Sequence, residues 1–372
     1  MKIAQHVLPH SSAGITHHLT SHEFGTGTSG RKVYIQAGLH ADEIPGLLVA
    51  LTLRESLRVL DEAGRIQSRI VVLSMANPVG LSQWVMGTPI GRFELGSGRN
   101  FNREYPMLHD QIEAAVRGKL TGDIDVNRDL IRAAWRDALL AREPGNAFDA
   151  LQQQLMLFAH DADVVLDLHC SREAAMHLYT CAAVWKQTEP LARYIGAAAS
   201  LLGYDSGGGS YDEMQTYTWF RLNETFGSDF PIPHGVVAVT IEHRGQRDVA
   251  DHFAHQDAEA IVNYLTHEGF IEGDAPALPD LPSPATPIEG SEQFRAPVAG
   301  ILVHRAAVGE RIREGQPLFD IVDPVSGERT TVHSRTEGVL YMRRDVRLVR
   351  YGDPIGRVSG KTPQRTGYLL SA

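Results

Sequence analysis

Val33-Tyr34-Ile35-Gln36-Ala37-Gly38-Leu39-His40-Ala41-Asp42-Glu43 decides how this chain folds. Its first five residues have the apolar, partly β-branched character of a strand. Just beyond it, Leu47, Leu48, Leu51, Leu53, Leu57 and Leu60 recur near a 3.6-residue period, which predicts an amphipathic helix over 44–62. Ile70-Val71-Val72-Leu73-Ser74-Met75 reads as the next strand. Two further near-continuous apolar runs, 162–168 and 236–241, suit strands buried on both faces of an α/β sheet. Helical patterns cover 126–141, 147–160, 187–201 and 249–265. The expected fold is α/β: a mixed, mostly parallel central sheet flanked by helices over residues 1–271.

The rest of the chain is punctuated differently. Residues 77–106 hold Pro78, Pro89 and the glycines Gly80, Gly87, Gly91, Gly96 and Gly98, and read as a long loop of the kind that carries function. Gly207-Gly208-Gly209 reads as a flexible turn, because no Gly-Lys-Ser/Thr follows to make a phosphate cradle. Pro276, Pro279, Pro282, Pro284 and Pro287 mark 272–294 as a linker. Beyond it, 295–372 shows short strands broken by Gly and is expected to be a small all-β domain.

Composition removes several function classes. The chain has 372 residues, 43% of them hydrophobic, enough for two domains with a sizeable core. A net charge of −10 leaves no basic surplus for a nucleic-acid partner. No segment has the roughly 18 consecutive apolar residues of a membrane span. The N-terminus has no signal-like apolar run, and two cysteines, Cys170 and Cys181, fit a reducing compartment. A cytoplasmic protein with a small-molecule substrate is expected, with assembly into a homo-oligomer left open.

Chemistry is carried by dispersed residues. His40 and Glu43 are three apart after one strand, His169 closes a second, and Glu242 closes a third. Ligands of open α/β sheets bind at the carboxyl ends of strands. Two His and one carboxylate are what a catalytic zinc uses, leaving room for water. A further Glu is what that water needs as proton acceptor. The plainer alternatives are polar residues at a helix start for His40 and Glu43, a core histidine for His169, and an ion pair with Arg244 or Arg247 for Glu242. Asp167, on the same pleat face as His169, either orients it or caps nearby backbone. Arg99-Asn100-Phe101-Asn102-Arg103 brings guanidinium and amide groups into the Gly-rich loop, either to grip a substrate carboxylate, with Asn102 and Arg103 foremost, or as a solvated cluster. Serine-hydrolase chemistry is disfavoured, since no Gly-x-Ser-x-Gly elbow is present.

Taken together, Gly38-Leu39-His40-Ala41-Asp42-Glu43, Asn77-Pro78, Asn102-Arg103-Glu104-Tyr105-Pro106, Asp167-Leu168-His169 and Ile241-Glu242 resemble the succinylglutamate desuccinylase/aspartoacylase family, a branch of the zinc carboxypeptidase superfamily. The resemblance covers most of residues 30–270. It implies one Zn²⁺ per chain on His40, Glu43 and His169, Glu242 as general base, and Asn102 and Arg103 on the substrate carboxylate. It also implies an upstream arginine that polarises the scissile carbonyl, for which Arg92 fits best and Arg99 is the runner-up, with Arg99 otherwise at the substrate. The implied activity is hydrolysis of the amide of a small N-acylated amino acid. Peptide carboxypeptidase activity, or small-molecule binding without catalysis, are the rivals. The family's Asp-Leu-Asn-Arg-x-Phe-Pro reads here as Asn100-Phe101-Asn102-Arg103-Glu104-Tyr105-Pro106, and a long, mostly helical stretch at 107–158 reshapes the pocket mouth, so the substrate itself does not carry over. The C-terminal part resembles the family's barrel-sandwich β domain. It also resembles lipoyl and biotinyl domains in style, but Tyr341-Met342-Arg343-Arg344-Asp345 lacks the lysine that a carrier needs.

Overall fold

The computed structural model describes residues 1–370. A nine-stranded sheet organises it, in the order Lys2–Leu8, His17–Phe24, Arg69–Leu73, Lys32–Ala37, Val164–Ser171, Val237–Gly245, His177–Cys181, Ala199–Gly203, Thr286–Pro287. The four central strands, Arg69–Leu73 to Val237–Gly245, are mutually parallel. So are the last three. Antiparallel joins occur at the N-terminal hairpin, at its seam with Arg69–Leu73, and between Val237–Gly245 and His177–Cys181. The sheet is therefore mixed and mostly parallel, as expected.

Every residue of Lys32–Ala37 and Val164–Ser171 is buried, which explains their nearly unbroken apolar character. Alternate side chains feed two separate cores. Tyr34, Val71, Leu73 and Val165 pack with the helices Ile124–Leu140, Ala147–Ala159 and Tyr211–Phe226. Val33, Ile35, Val72, Leu166 and Ile241 pack with Ile44–Glu62 and Asp251–His267 on the opposite face. Gly46 lets the first helix rest on the sheet, because a Cβ there would lie 2.6 Å from the Leu168 carbonyl oxygen. This contact couples the turn carrying Glu43 to the strand carrying His169.

The helix expected over 187–201 is shorter. It spans Trp185–Tyr194, a turn through Gly196 at φ +66° follows, and Ala199–Gly203 enters the sheet. Ala197 to Leu202 is small or apolar apart from Ser200, so period alone does not separate helix from buried strand there. Pairing with His177–Cys181 decides it.

The Pro-rich stretch 272–294 is tied down at its far end. Thr286–Pro287 forms the outermost strand of the large sheet, where a proline costs no ladder hydrogen bond on its solvent side. Glu292–Arg295 opens the C-terminal part, which consists of antiparallel sheets around Phe294, Leu302, Leu318, Phe319 and Ile355. One of these sheets is completed by Glu173–Ala174, immediately after the His169 strand, paired to Gly338–Arg343. Arg343 and Arg347 both donate to the Glu173 carboxylate, at 2.7 and 2.8 Å. The C-terminal sheets are thus anchored beside the ends of the central strands. Tyr341, in the stretch compared with carrier domains, is fully buried in that junction rather than at an exposed hairpin tip.

Candidate active site

His40 and Glu43 meet through the tight turn that follows Lys32–Ala37. Glu43 is the residue that caps Ile44–Glu62 rather than part of its first turn, and its N–H donates to the His40 carbonyl at 3.1 Å. His169 comes from the neighbouring parallel strand. The three residues are at most 3% exposed, and one ligand atom from each lies within 4.8 Å of the others. Both Glu43 oxygens face imidazoles: Oε1 is 3.0 Å from His40 Nδ1, and Oε2 is 2.8 Å from His169 Nδ1. Oε2 also accepts from the Cys170 N–H at 3.0 Å. Burial alone would raise the Glu43 carboxyl, but the two imidazoles hold it well below the usual range.

The remaining ring nitrogens test whether a metal ion fits. His40 Nε2 lies 2.8 Å from Asn100 Oδ1, and the Asn102 N–H donates to the same atom, which identifies it as the amide oxygen. Nε2 therefore carries the proton. Burial, aided by the Arg92 charge, pushes His40 down to about 3 and keeps it neutral. A neutral ring protonated on Nε2 presents a lone pair from Nδ1 straight at a carboxylate, an arrangement that calls for a bridging cation. His169 Nε2 sits 2.9 Å from Asp167 Oδ2, within ion-pair distance though not aligned for a hydrogen bond. Burial works against charge on His169, yet Asp167 and Glu43 raise it well above its ordinary value. The carboxylates that draw a proton there would equally draw a divalent cation. Asp167 is itself held by Gln36 Nε2 at 3.0 Å, and Gln36 Oε1 accepts from Tyr34 O–H at 2.9 Å. The Asp167 carboxylate thus takes its hydrogen bond from a side chain and faces His169, so of its two readings the backbone cap is not the one seen.

Glu242 is the register partner of His169 on the adjacent strand. Ser171 Oγ donates to it at 3.2 Å. Burial, and then the Glu43 charge, push it up to about 7. The ion pair with Arg244 does not form. Arg244, at φ +62°, turns away to grip Asp257 through two bonds of 2.8 and 2.6 Å. Arg92 Nη2 donates to Glu43 Oε1 at 2.8 Å. Gly91 brings it there: a Cβ at Gly91 would lie 2.1 Å from Asp42 N, so only glycine lets the loop press on the His40 turn.

Asn102 and Arg103 also line the cavity in front of the cluster. Asn102 Oδ1 already accepts from the Tyr211 N–H at 2.8 Å, which leaves its NH₂ group for a ligand. Arg103 is mostly buried, near Asp212 and Glu213. Arg99 does not join them. It pairs with Asp149 at 2.6 Å and Glu104 at 3.2 Å, lies over the Phe148 ring, and is not among the cavity residues. Its expected place at the substrate is therefore withdrawn, because its charge is satisfied elsewhere. The cavity holds about 100 Å³. Its other wall was not read from the sequence: Ser210, Asp212 and Glu213 at the start of Tyr211–Phe226, and Met342 and Arg357 from the C-terminal sheets. Ser210-x-x-Glu213 has the form of a helix start and could have exposed the first group. No local signal marks Arg357.

A buried His–Glu–His cluster at the ends of parallel strands, beside a carboxylate and an arginine, defines an α/β protein suited to hold a divalent ion against a small polar ligand. The particular family follows from comparison. The chain belongs to the succinylglutamate desuccinylase/aspartoacylase family of deacylases: residues 29–268 match the model of the succinylglutamate desuccinylase/aspartoacylase catalytic domain. A protein of Shewanella amazonensis SB2B named for that family is 26% identical, with a TM-score of 0.82 over 96% of this chain and 98% of its own. One from Shewanella frigidimarina NCIMB 400 is also 26% identical, with a TM-score of 0.83 over 96% and 97%. The ectoine utilization protein EutE of Ruegeria pomeroyi shares the fold at 17% identity, with a TM-score of 0.67 over 97% and 95%. No curated protein matches. Among the described residues no helix is long and apolar enough to cross a membrane.

Proposed function

We propose that this protein is a zinc-dependent amidohydrolase that cleaves the amide of a small N-acylated amino acid or a related carboxylate-bearing molecule. One zinc per chain would be held by His40, Glu43 and His169. The observation that carries this reading is the convergence of that buried cluster with Glu242 and Arg92 on one small cavity. Residues 295–372 are read as a barrel-sandwich domain that borders the pocket.

Zinc, when bound, supplies a Lewis acid that polarises a carbonyl and acidifies water. Glu242 takes one proton from the attacking water. The water oxygen bonds to the acyl carbon, the C–N bond breaks, and Glu242 returns the proton to the departing amine. The carboxylic acid so formed gives its proton to the amine, and the products are a carboxylate and an ammonium ion. Arg92 donates to the carbonyl oxygen as negative charge grows on it. The Asn102 NH₂ group and Arg103 hold the substrate carboxylate. A small cavity partly walled by the C-terminal sheets favours a compact substrate over a peptide.

The test is amine release from a panel of N-acylated amino acids by chelated and zinc-restored protein. Release that is lost on chelation and regained with zinc is expected; none from zinc-replete protein would overturn the reading. Arg103→Ala is expected to raise KM by roughly 10- to 100-fold, the worth of a charged hydrogen bond, with kcat changed little. Steady-state kinetics check it, and an unchanged KM contradicts it.

A further inference from the structure

The cavity does not end at its acidic wall. Three elements carry its lining onward into a second hollow of about 230 Å³. On Tyr211–Phe226, Glu213 and Thr216 line the cavity, while Thr216, Trp219 and Phe220 line the hollow. Gly203 lines the cavity and Tyr204 the hollow. Cys181 lines both, and Ala183 and Val184 continue from it. Cys181 and Thr216, each 5% exposed, form the neck between the two spaces.

The chemistry changes across that neck. Charged groups ring the cavity, whereas among the described residues no Asp, Glu, Lys or Arg lines the hollow. Its floor is Val184, Trp219, Phe220 and Pro233, with Tyr204 and His234 at the rim. The Tyr204 and Phe220 rings are 4.6 Å apart. Gly235, at φ +72°, lies against the Trp219 indole, where a Cβ would come within 1.9 Å of the ring. Asn127 and Arg132, both on Ile124–Leu140, donate to the Pro231 and Gly235 carbonyls at 3.1 and 3.3 Å. The helical stretch 107–158 thus holds this wall in place, and the hollow is pre-formed. An apolar lining with a few polar groups is what a ligand site uses. An apolar space of about 150 Å³ takes a benzene ring. A further peptide unit would instead bring backbone groups that this floor cannot pair. We propose that the hollow is a subsite for one aromatic group of the substrate, reached from the reacting amide through the Cys181–Thr216 neck. The inference rests on the hydrolase reading and names its substrate class, an N-acylated amino acid that carries a ring. Tyr204, Thr216 and Phe220 are then specificity-determining residues. The ring belongs either to the amino-acid side chain or to the acyl group.

Matched pairs separate these sources and test the role. N-acetylphenylalanine against N-acetylalanine probes the amino-acid side. N-phenylacetylalanine against N-acetylalanine probes the acyl side. The zinc-loaded protein is expected to prefer the ring-bearing member of one pair in kcat/KM by about 10-fold or more, the worth of burying one aromatic side chain. Native protein with no such preference in either pair would overturn the proposal. Tyr204→Ala combined with Phe220→Ala is expected to bring the ratio to within a few-fold while activity on N-acetylalanine holds. A merely structural role would lower both members together and leave the ratio standing, which would overturn the proposal. Thr216→Leu, which narrows the neck, is expected to abolish the preference in the same way. Calorimetric binding of phenylalanine against alanine, and of phenylacetate against acetate, reads the subsite without turnover. Silence on all the amides would count against the hydrolase reading alone, provided one ring-bearing product binds about 10-fold tighter and loses that margin in the double variant. No margin, or a margin that the variant keeps, would overturn the subsite. If the double variant fails to fold, native protein and Thr216→Leu decide by the same ratios.

Discussion

Glu242→Gln is expected to lower kcat by about 100- to 10,000-fold, the usual worth of a positioned general base, while the protein keeps its metal. Glutamine preserves the shape of the side chain and an acceptor for the Ser171 hydroxyl, 3.2 Å away. It lies outside the His40–Glu43–His169 cluster, so the proposed ligand set is untouched. What it removes is proton affinity. Glu242 is raised to about 7 by burial and by the neighbouring Glu43 charge, which places it where a base both takes and returns a proton near neutrality. Steady-state kinetics beside metal analysis of the same sample is the check. Near-normal turnover with metal retained would strip Glu242 of the role.

Arg92→Met is expected to reduce kcat by about 100- to 1,000-fold, as for loss of one oxyanion donor. Arg92 reaches the cluster only because Gly91 lets the loop pack against Asp42 N, and its guanidinium already lies 2.8 Å from Glu43 Oε1. Arg99→Met provides the contrast. Its charge is taken up by Asp149 and Glu104, outside the cavity, and kcat is expected to change by no more than a few-fold. Measuring kcat for both variants assigns the donor, and a larger loss in Arg99→Met would reverse the assignment.

The central strands and the first helix were legible because burial on both sheet faces demands uninterrupted apolar residues, and packing on one face demands a 3.6 period. Ile44–Glu62 matches its expected span for that reason. Ala199–Gly203 was hidden because its small and apolar residues extend a helix as readily as they make a strand. The hairpin strand Lys2–Leu8 is largely exposed and carries little hydrophobic signal. His40, Glu43, His169 and Glu242 could be located because each ends or follows a legible strand, so topology alone gathers them. Asp212 and Glu213 lie on a helix buried on several sides, which blurs its period. Arg357 depends on how the C-terminal sheets dock at Glu173–Ala174, which no local pattern encodes.

Metal content of the purified protein, read beside His169→Ala, tests the central claim most directly. The account predicts about one zinc per chain in the native protein and its loss in the variant, since three protein ligands are the usual minimum for a catalytic zinc and the variant has two. No bound metal, with no activity on adding zinc, would contradict the hydrolase reading.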